Sequence, residues 1–448
     1  MPVVSKISRR SFLGSVAGAS LAFPYIGWKT AAHGQTPSST VRVAAFGGNG
    51  RAFGDITGAM SHKNAVLTAV AEIDEARTDK VRAKYPDTKV YLDWRELLEK
   101  EAKNVDVAVV GTPDHMHAPI AMSAMQLGLH CYCEKPLTRT LHEARQLTEY
   151  AAANNLRTQM GNQLASGGGN KATAKALSDK MIGRIVAVHS MCPKSWGAME
   201  PIGAPSDPPA TLDWDQWCGV GKKTPYVKGE YHPGQWRKRI GYGTGTLGDM
   251  ACHIVHPWVK GLDAPAPTSV KSVGPVPIDN ISWPLGGRIE YKMSGNDFTG
   301  GDFEFTWYDG VNKPGDDVAE LVGGWENVPK MGSLIIGTEG VITANHGGDP
   351  FPKIYRDKKR TDEKVEPPAS ANHHGEWIDA VMGNNKETVC DWAYAGPMTE
   401  TVLLGTVAML NPGEELKWNS EKLKFTNSKK ANRMVRDPYR KGWEVKGL

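Results

Sequence analysis

Residues 41–52, VRVAAFGGNGRA, pass from a short apolar run into a cluster of glycines. A valine-rich run of this length has the character of a buried strand, and the glycines mark a tight turn after it. The turn is Gly47-Gly48-Asn49-Gly50-Arg51-Ala52, and a helix is expected to begin near Ala52. Strand, turn and helix in this order follow the pattern G-x-G-x-x-G/A. Its glycines let backbone approach a pyrophosphate at a helix N-terminus, where unpaired N–H groups and the helix dipole favour anions. Counted from Gly47 the pattern reads G-G-N-G-R-A, with Asn49 in the place of the second glycine. Asparagine tolerates left-handed backbone and is flanked here by two glycines, so the turn fits the pattern while departing from its ideal.

Working outward, apolar runs alternate with amphipathic stretches. AVLTAVAEID, TKVYL, VDVAVVG and LHCYCEK read as further strands, and EARTDKVRAKY, WRELLEKEA and APIAMSAMQLG as helices between them. Strand, helix, strand in succession implies parallel strands with right-handed crossovers, hence an α/β doubly wound sheet of Rossmann type over residues 40–162. Glu72, 25 residues after Gly47, or Asp74 just beyond it, stands where a carboxylate would bind the adenosine ribose and repel a 2′-phosphate. That favours NAD over NADP, with Arg77 close enough to complicate the choice.

Two further turns fall at strand ends facing the same crevice, GTPDHMHAP (111–119) and CEKPLTRT (133–140). With the glycine turn, and in this order, they resemble the Gfo/Idh/MocA family, named for glucose-fructose oxidoreductase, inositol 2-dehydrogenase and a rhizopine catabolism protein. The resemblance continues through TQMGNQ (158–163), LDWDQW (212–217), YHPGQWR (231–237), GTGTLGDMACH (243–253) and HHGEWIDAV (373–381). It implies a second domain with a large open antiparallel sheet, which carries the substrate site and often an oligomer interface, and oxidation of a sugar, polyol, inositol or glycoside. It also implies that Lys135 is the E-K-P lysine and that the D-x-x-x-H catalytic pair is Asp249 and His253. Cofactor contacts are then expected from residues 47–52 (Gly47, Gly48, Asn49, Gly50, Arg51, Ala52), from Glu72 and Asp74, from Thr112, Pro113, His115 and His117, and from Glu134, Lys135 and Asn162. Substrate contacts are expected from Lys135, Gln163, Trp236, Arg237, Asp249 and His253.

The residue chemistry points the same way. GTLGDMACHIVHPWV reads as a helix, so Asp249 and His253, four apart, share a face. Removing hydride from a carbinol carbon requires loss of the hydroxyl proton. Histidine starts near pKa ~6.5 and lysine near ~10.4, so His253 is the more accessible base at neutral pH. Lys135 is then a donor to the reacting oxygen. Asp249 holds a substrate hydroxyl or orients His253. Asp249, His253 and His256 also recur at a spacing suited to metal ligands, but Pro257 is expected to end or kink the helix and no second cluster completes a site, so no metal is expected. His115 and His117 are read as shaping the nicotinamide pocket.

Residues 163–448 change in character, with frequent Gly and Pro, scattered tryptophans, strands GRIEYKM and DFEFTWY, and a hairpin SLIIGTEGVITAN. This is α+β, with late helices HGEWIDAVM and PMTETVLLGTVAML expected to pack back across the domains, and with His373 and His374 opening the first of them. A net charge of +4 over 448 residues, with a basic cluster only at 429–441, makes nucleic acid and acidic membranes poor partners. The six cysteines are too few for a disulfide scaffold and read as buried apolar groups. Cys131 and Cys133, alternating along a strand, are read as pointing to opposite faces and so unable to pair.

The N-terminal SRRSFLGSVAGASLAF (8–23) resembles a twin-arginine signal, which exports cargo already folded. Its apolar segment, 14–26, is shorter than the ~20 residues a membrane span needs. Residues 1–34 are therefore read as a removable signal, with cleavage after Ala32 or Gly34 left open, and the mature protein as periplasmic. A nicotinamide enzyme there has no supply of free cofactor, so NAD is expected to be loaded before export and held tightly. Three functions follow: a dehydrogenase, an NAD-dependent redox-neutral glycoside hydrolase, or a catalytically inactive carbohydrate-binding protein. A homo-oligomer, dimer or tetramer, is expected.

Overall fold

The structure, a computed structural model, describes residues 39–384 and 387–448; the signal expected over 1–34 lies outside the described residues. Six strands, β1 (Val41–Phe46), β2 (Ala65–Ala71), β3 (Lys89–Tyr91), β4 (Val107–Val110), β5 (His130–Glu134) and β6 (Thr158–Gly161), pair in the order β3-β2-β1-β4-β5-β6. Every pairing is parallel. All of β4 and β5 is buried, which is why these strands read as continuous apolar runs: helices cover both faces. The order reverses between β1 and β4, and the crevice at that switch point is where such sheets bind ligands.

Five helices connect the strands: α1 (Gly50–Ala59), α2 (Asp79–Lys84), α3 (Trp94–Glu101), α4 (His117–Gln126) and α5 (Leu141–Ala153). Their starts are set by polar caps. Asp93 caps α3, and Thr140 with Glu143 forms a reciprocal capping box at α5. Two boundaries differ from expectation. Helix α1 starts at Gly50, because Asn49 caps it. Strand β2 stops at Ala71, and EARTDKVRAKY splits into a short 3₁₀ turn (Glu75–Arg77) and α2, because the Asp74 side chain accepts from Ala76 N.

The second domain is built on a ten-stranded sheet ordered β14-β13-β12-β11-β7-β10-β9-β8-β15-β16. Its strands are β7 (Ile185–Cys192), β8 (Pro267–Gly274), β9 (Gly287–Met293), β10 (Thr299–Asp309), β11 (Gly332–Gly337), β12 (Gly340–Asn345), β13 (Lys353–Arg356), β14 (Lys359–Arg360), β15 (Leu416–Asn419) and β16 (Lys424–Phe425). The sheet is antiparallel apart from the parallel pair β7–β10. GRIEYKM shows how sequence sets its faces: Ile289, Tyr291 and Met293 are buried, whereas Arg288 and Lys292 are exposed. Among the helices that follow α5 in the chain are α6 (Gly168–Ser178), α7 (Trp214–Cys218), α8 (Gly245–Gly261), α9 (Asp316–Glu320), α10 (His373–Val381) and α11 (Trp392–Met409). Of these, α6, α8 and α11 pack on the buried face; α8 and α11 supply Trp258, Leu403 and Leu404 to the same core as Phe305 and Trp307. Helix α10 returns to the first domain, where Trp377, Ile378 and Val381 join Val41, Val43 and Ile56.

Two expectations fail here. Pro257 does not end α8, which continues to Gly261; the proline withholds the N–H that would have bonded the carbonyl of His253. Cys131 and Cys133 point to the same face, since residues two apart on a strand always do; both lie in one core cluster and Tyr132 in another. All six cysteines are free and buried. The basic cluster near the C-terminus is folded down, with Arg440 on Asp215 at 2.7 Å. Among the described residues no helix is long and apolar enough to cross a membrane.

Candidate active site

The glycine turn joins β1 to α1 with a tight backbone approach. Gly47 has φ +97°, and a Cβ there would lie 2.8 Å from Ala52 Cβ and 3.2 Å from the Gly111 carbonyl. Asn49 is not left-handed: its φ is −142°, and its Oδ1 accepts from Gly50 N at 2.8 Å while Nδ2 donates to Arg77 O at 3.2 Å. The left-handed step falls on Gly50 instead, at φ +56°. Asparagine therefore replaces the second glycine without strain and adds a cap.

Glu72 is tied to this turn. Gly48 N donates to its Oε2 at 2.9 Å and Asp74 N to its Oε1 at 3.2 Å; burial raises its pKa, against the pull of these N–H groups. Asp74 is engaged with the second domain, accepting from Thr211 Oγ1 at 2.8 Å and facing His232 Nε2 at 3.0 Å. The cleft is lined by Gly47, Asn49, Gly50 and Arg51 from the turn, by Glu72 and Arg77, and by Thr112 and Pro113 at the end of β4. Asp74, Gly48 and Ala52 stand behind that lining.

The two histidines of the 111–119 turn are structural. His117 lines the cleft, its ring nitrogens each 2.8 Å from a main-chain carbonyl, Pro136 O and Thr112 O, so it braces the E-K-P turn against β4. His115 lies outside the lining, buried against Trp217 and Tyr242, with Nε2 2.9 Å from Trp217 O. Burial pushes it down to about 3, so it is neutral.

Beneath the cleft, Glu134 anchors a buried polar cluster that sequence reasoning did not foresee. Gln163 Nε2 donates to Glu134 Oε1 at 2.5 Å and to Tyr132 OH at 2.8 Å, so Gln163 braces this cluster and does not line the cleft. Arg51 pairs with Asp55 at 2.8 Å, and His374 Nε2 stands 3.1 Å from the same carboxyl oxygen. Burial, then the neighbouring Asp55, pushes Glu134 up to about 8; burial pushes Asp55 to about 6.

The catalytic candidates come together. Lys135 and Arg237 line the cleft, and both reach Asp249 on α8: Lys135 Nζ donates to Oδ1 at 2.6 Å and to the main-chain carbonyl at 2.7 Å, Arg237 Nε to Oδ1 at 3.2 Å. Trp196 Nε1 holds Oδ2 at 2.8 Å. Burial opposes ionisation of this carboxyl, but Lys135 and Arg237 prevail and hold it well below the usual carboxylate range. Asp249 therefore fixes Lys135 rather than orienting His253. Trp236, also in the lining, stacks under the Arg237 guanidinium at 4.3 Å.

His253 is oriented by Asn162. Asn162 Nδ2 donates to Cys252 O at 2.8 Å, which turns its Oδ1 to His253 Nδ1 at 2.5 Å. A carbonyl oxygen only accepts, so these partners assign the imidazole proton to Nδ1 and leave the lone pair on Nε2. Burial, then Lys135, pushes the imidazole well below its ordinary pKa, which keeps it neutral. Asn162 is thus a positioning residue. His346 packs on this ring with centroids 5.1 Å apart; it follows β12 in a glycine-rich turn, and no local pattern marked it out. Among the described residues, no group of three His, Cys, Asp or Glu side chains is placed to hold a metal ion.

A switch-point cleft, a glycine turn that a side chain would fill and a helix N-terminus beside it make this a dinucleotide-binding protein of two domains. Residues 41–162 match the sequence model of the Gfo/Idh/MocA family, "Oxidoreductase family, NAD-binding Rossmann fold". It is 26% identical over 163 residues to levoglucosan dehydrogenase of Pseudarthrobacter phenanthrenivorans, covering 36% of this chain and 34% of that one. It is 31% identical over 120 residues to alpha-N-acetylgalactosaminidase of Shewanella oneidensis, covering 25% of this chain and 26% of that one. The chain thus spans about a third or less of these relatives' lengths. The fold is similar to that of the WlbA dehydrogenase from Bordetella pertussis, solved with NADH and UDP-GlcNAcA: TM-score 0.58, 14% identity, 85% of this chain and 99% of that one.

Proposed function

We propose that this protein is an NAD-dependent oxidoreductase that oxidises a secondary hydroxyl of a sugar, polyol, inositol or glycoside. The observation that carries the reading is that Lys135, in the lining of the cleft, pairs at 2.6 Å with Asp249, one helical turn before His253, whose Nδ1 is held by Asn162. The turn from Gly47 to Arg51 and the first N–H groups of α1 would hold the cofactor's pyrophosphate, and Glu72 its ribose. Nicotinamide, when bound, supplies the hydride acceptor. His253 Nε2 takes the hydroxyl proton, and the Lys135 ammonium, aimed by Asp249, holds the negative charge that develops on the oxygen. Arg237 and Trp236 shape the sugar side of the cleft.

The identity to a glycosidase supports a second reading, redox-neutral glycoside hydrolysis through transient oxidation. Both need the same base and cation. An inactive binding protein is less well supported, since Asn49 leaves the glycine turn unstrained. Incubating the protein with sugars, polyols, inositols and aryl glycosides, while following 340 nm absorbance and glycone release together, separates the three. Reduced cofactor alone supports the dehydrogenase, release alone the glycosidase, and neither the binding protein.

The export reading stands as part of this proposal: a periplasmic enzyme, folded around tightly held NAD before transport, self-associating as a dimer or tetramer. Changing Arg9 and Arg10 to lysine should trap it in the cytoplasm. Recovery of the exported protein free of NAD would contradict tight retention.

A further inference from the structure

Residues 193–244, between β7 and α8, contain α7 and a 3₁₀ turn (Gln235–Lys238) but no strand, yet they fold around an apolar core of their own. Trp214, Trp217, Tyr226, Tyr231, Trp236 and Tyr242 share one cluster, with the Trp214 and Trp217 rings stacked at 4.6 Å. A long connection with its own core is a built element, and such elements serve function. This one crosses to the first domain at the end of β2. Leu212 bridges Asp74 in antiparallel fashion, Glu75 N donates to Thr211 O at 2.9 Å, and Asp213 N donates to Ile73 O at 3.3 Å. Both oxygens of the Asp74 carboxylate are taken by the same segment, Oδ1 by Thr211 Oγ1 at 2.8 Å and Oδ2 by His232 Nε2 at 3.0 Å. Ile73 packs against the aromatic cluster.

The same segment lines the cleft. Gln216, Trp217, His232, Pro233 and Gly234 stand around one space with the glycine turn, Glu72 and Arg77. The stretch 232–237 is fastened twice, through His232 to Asp74 beside β2 and through Arg237 to Asp249 on α8 at 3.2 Å. The cleft therefore has a wall from the second domain, and that wall is hydrogen-bonded to the strand end that carries Glu72.

We propose that residues 211–237 are a clasp over the dinucleotide cleft, latched by Asp74, and that NAD enters or leaves only when the latch opens. This rests on the reading of the cleft as a site of tightly held NAD and gives that retention a physical cause. Release must break the hydrogen bonds of Asp74, part the main-chain bridge at 73–75 and 211–213, and draw Ile73 from its apolar neighbours. Asp74 is then a positioning residue, acting on the cofactor through Thr211 and His232.

The test uses the protein loaded with radiolabelled NAD and diluted into excess unlabelled NAD, with release timed by filtration and deuterium uptake at 73–75 and 211–213 followed in the same samples. Thr211 is exposed and outside the lining of the cleft, so Thr211→Val removes one latch hydrogen bond without touching the cofactor. It should speed release about fivefold, the worth of one net hydrogen bond. Asp74→Ala removes both side-chain contacts and should speed release at least tenfold. Deuterium uptake at the bridge should rise by similar factors in each variant. Release unmoved in Thr211→Val, whether or not the bridge exchanges faster, overturns the inference and leaves tight retention intact. Faster release from Asp74→Ala with no change at the bridge also overturns it, since Asp74 would then act on NAD directly. Wild-type protein that takes up no NAD contradicts the cofactor reading itself, an outcome separate from label that is held equally well by all three proteins.

Discussion

Asn162 Oδ1 accepts the Nδ1 proton of His253 at 2.5 Å, while its own amide nitrogen is anchored on the carbonyl of Cys252. One amide thereby fixes both the ring plane and the tautomer of the proposed base. Asn162→Ala should lower kcat by about 10²-fold with little change in KM, since a positioned general base contributes ~10²- to 10⁴-fold. Steady-state kinetics at saturating cofactor check this. A loss confined to KM would place Asn162 on the ligand instead.

The pH profile follows from the same ring. Burial and Lys135 depress the His253 pKa, and a base works when unprotonated, so kcat/KM should hold as pH falls through about 6.5 and decline only below it. Asn162→Asp should move that acid limb upward, because a carboxylate facing Nδ1–H stabilises the imidazolium. A wild-type limb at or above about 6.5 would contradict the assignment.

Asp249→Asn removes the partner of Lys135 in a buried pair, a change that costs about 3–5 kcal/mol in comparable cases. The sign with pH is fixed by direction: the carboxyl is depressed in the folded state, so its stabilisation is complete above the unfolded pKa of ~3.9 and is lost as pH falls below it. Thermal unfolding should show wild type losing its advantage over Asp249→Asn between about pH 4 and pH 2. Parallel acid limbs would show that the pair contributes nothing to stability.

Glu134 has the opposite sign. Burial and Asp55 push its carboxyl up to about 8, so above ~4.3 the unfolded chain has released a proton that the native state keeps, and stability falls as pH rises through that window. Glu134→Gln should therefore melt progressively higher than wild type from pH 5 to pH 8. Melting curves with a constant offset would argue that the carboxyl is ionised throughout.

Gly47→Ala places a Cβ 2.8 Å from Ala52 Cβ at a φ of +97°. Strain of this kind costs of order 1–3 kcal/mol, and here it distorts the turn proposed to hold the pyrophosphate. NAD affinity, by fluorescence titration, should fall at least tenfold. Unchanged affinity would place the pyrophosphate elsewhere.

The first domain was legible because its signals are local. Valine-rich runs, amphipathic helices and a glycine turn each need only a dozen residues, and the E-K-P and D-x-x-x-H segments carry their candidates with them. What was misread depended on geometry finer than residue type: Asn49 was expected to replace a left-handed glycine but is extended, and Cys131 and Cys133 were assigned opposite faces against the period of the strand. What was missed is assembled only by folding. Asp55, which no pattern marked, is joined to Glu134 and His374 from two other segments, Trp196 reaches Asp249 across 53 residues, and His346 meets His253 from the far end of a hairpin. Gln163 and Asn162 were identified as site residues but brace other side chains, a distinction that sequence position does not carry.

The central claim is that Lys135 and His253 act together on a carbinol beside bound NAD. The most direct measurement is a single turnover: the protein as purified, with its cofactor, mixed with an active sugar while 340 nm absorbance is followed, alongside His253→Gln and Lys135→Met loaded with NAD to the same occupancy. The account predicts one equivalent of reduced cofactor in wild type and rates at least 10²-fold lower in both variants. Full-speed reduction in either variant, or occupied wild-type protein that reduces nothing with any sugar, would contradict it.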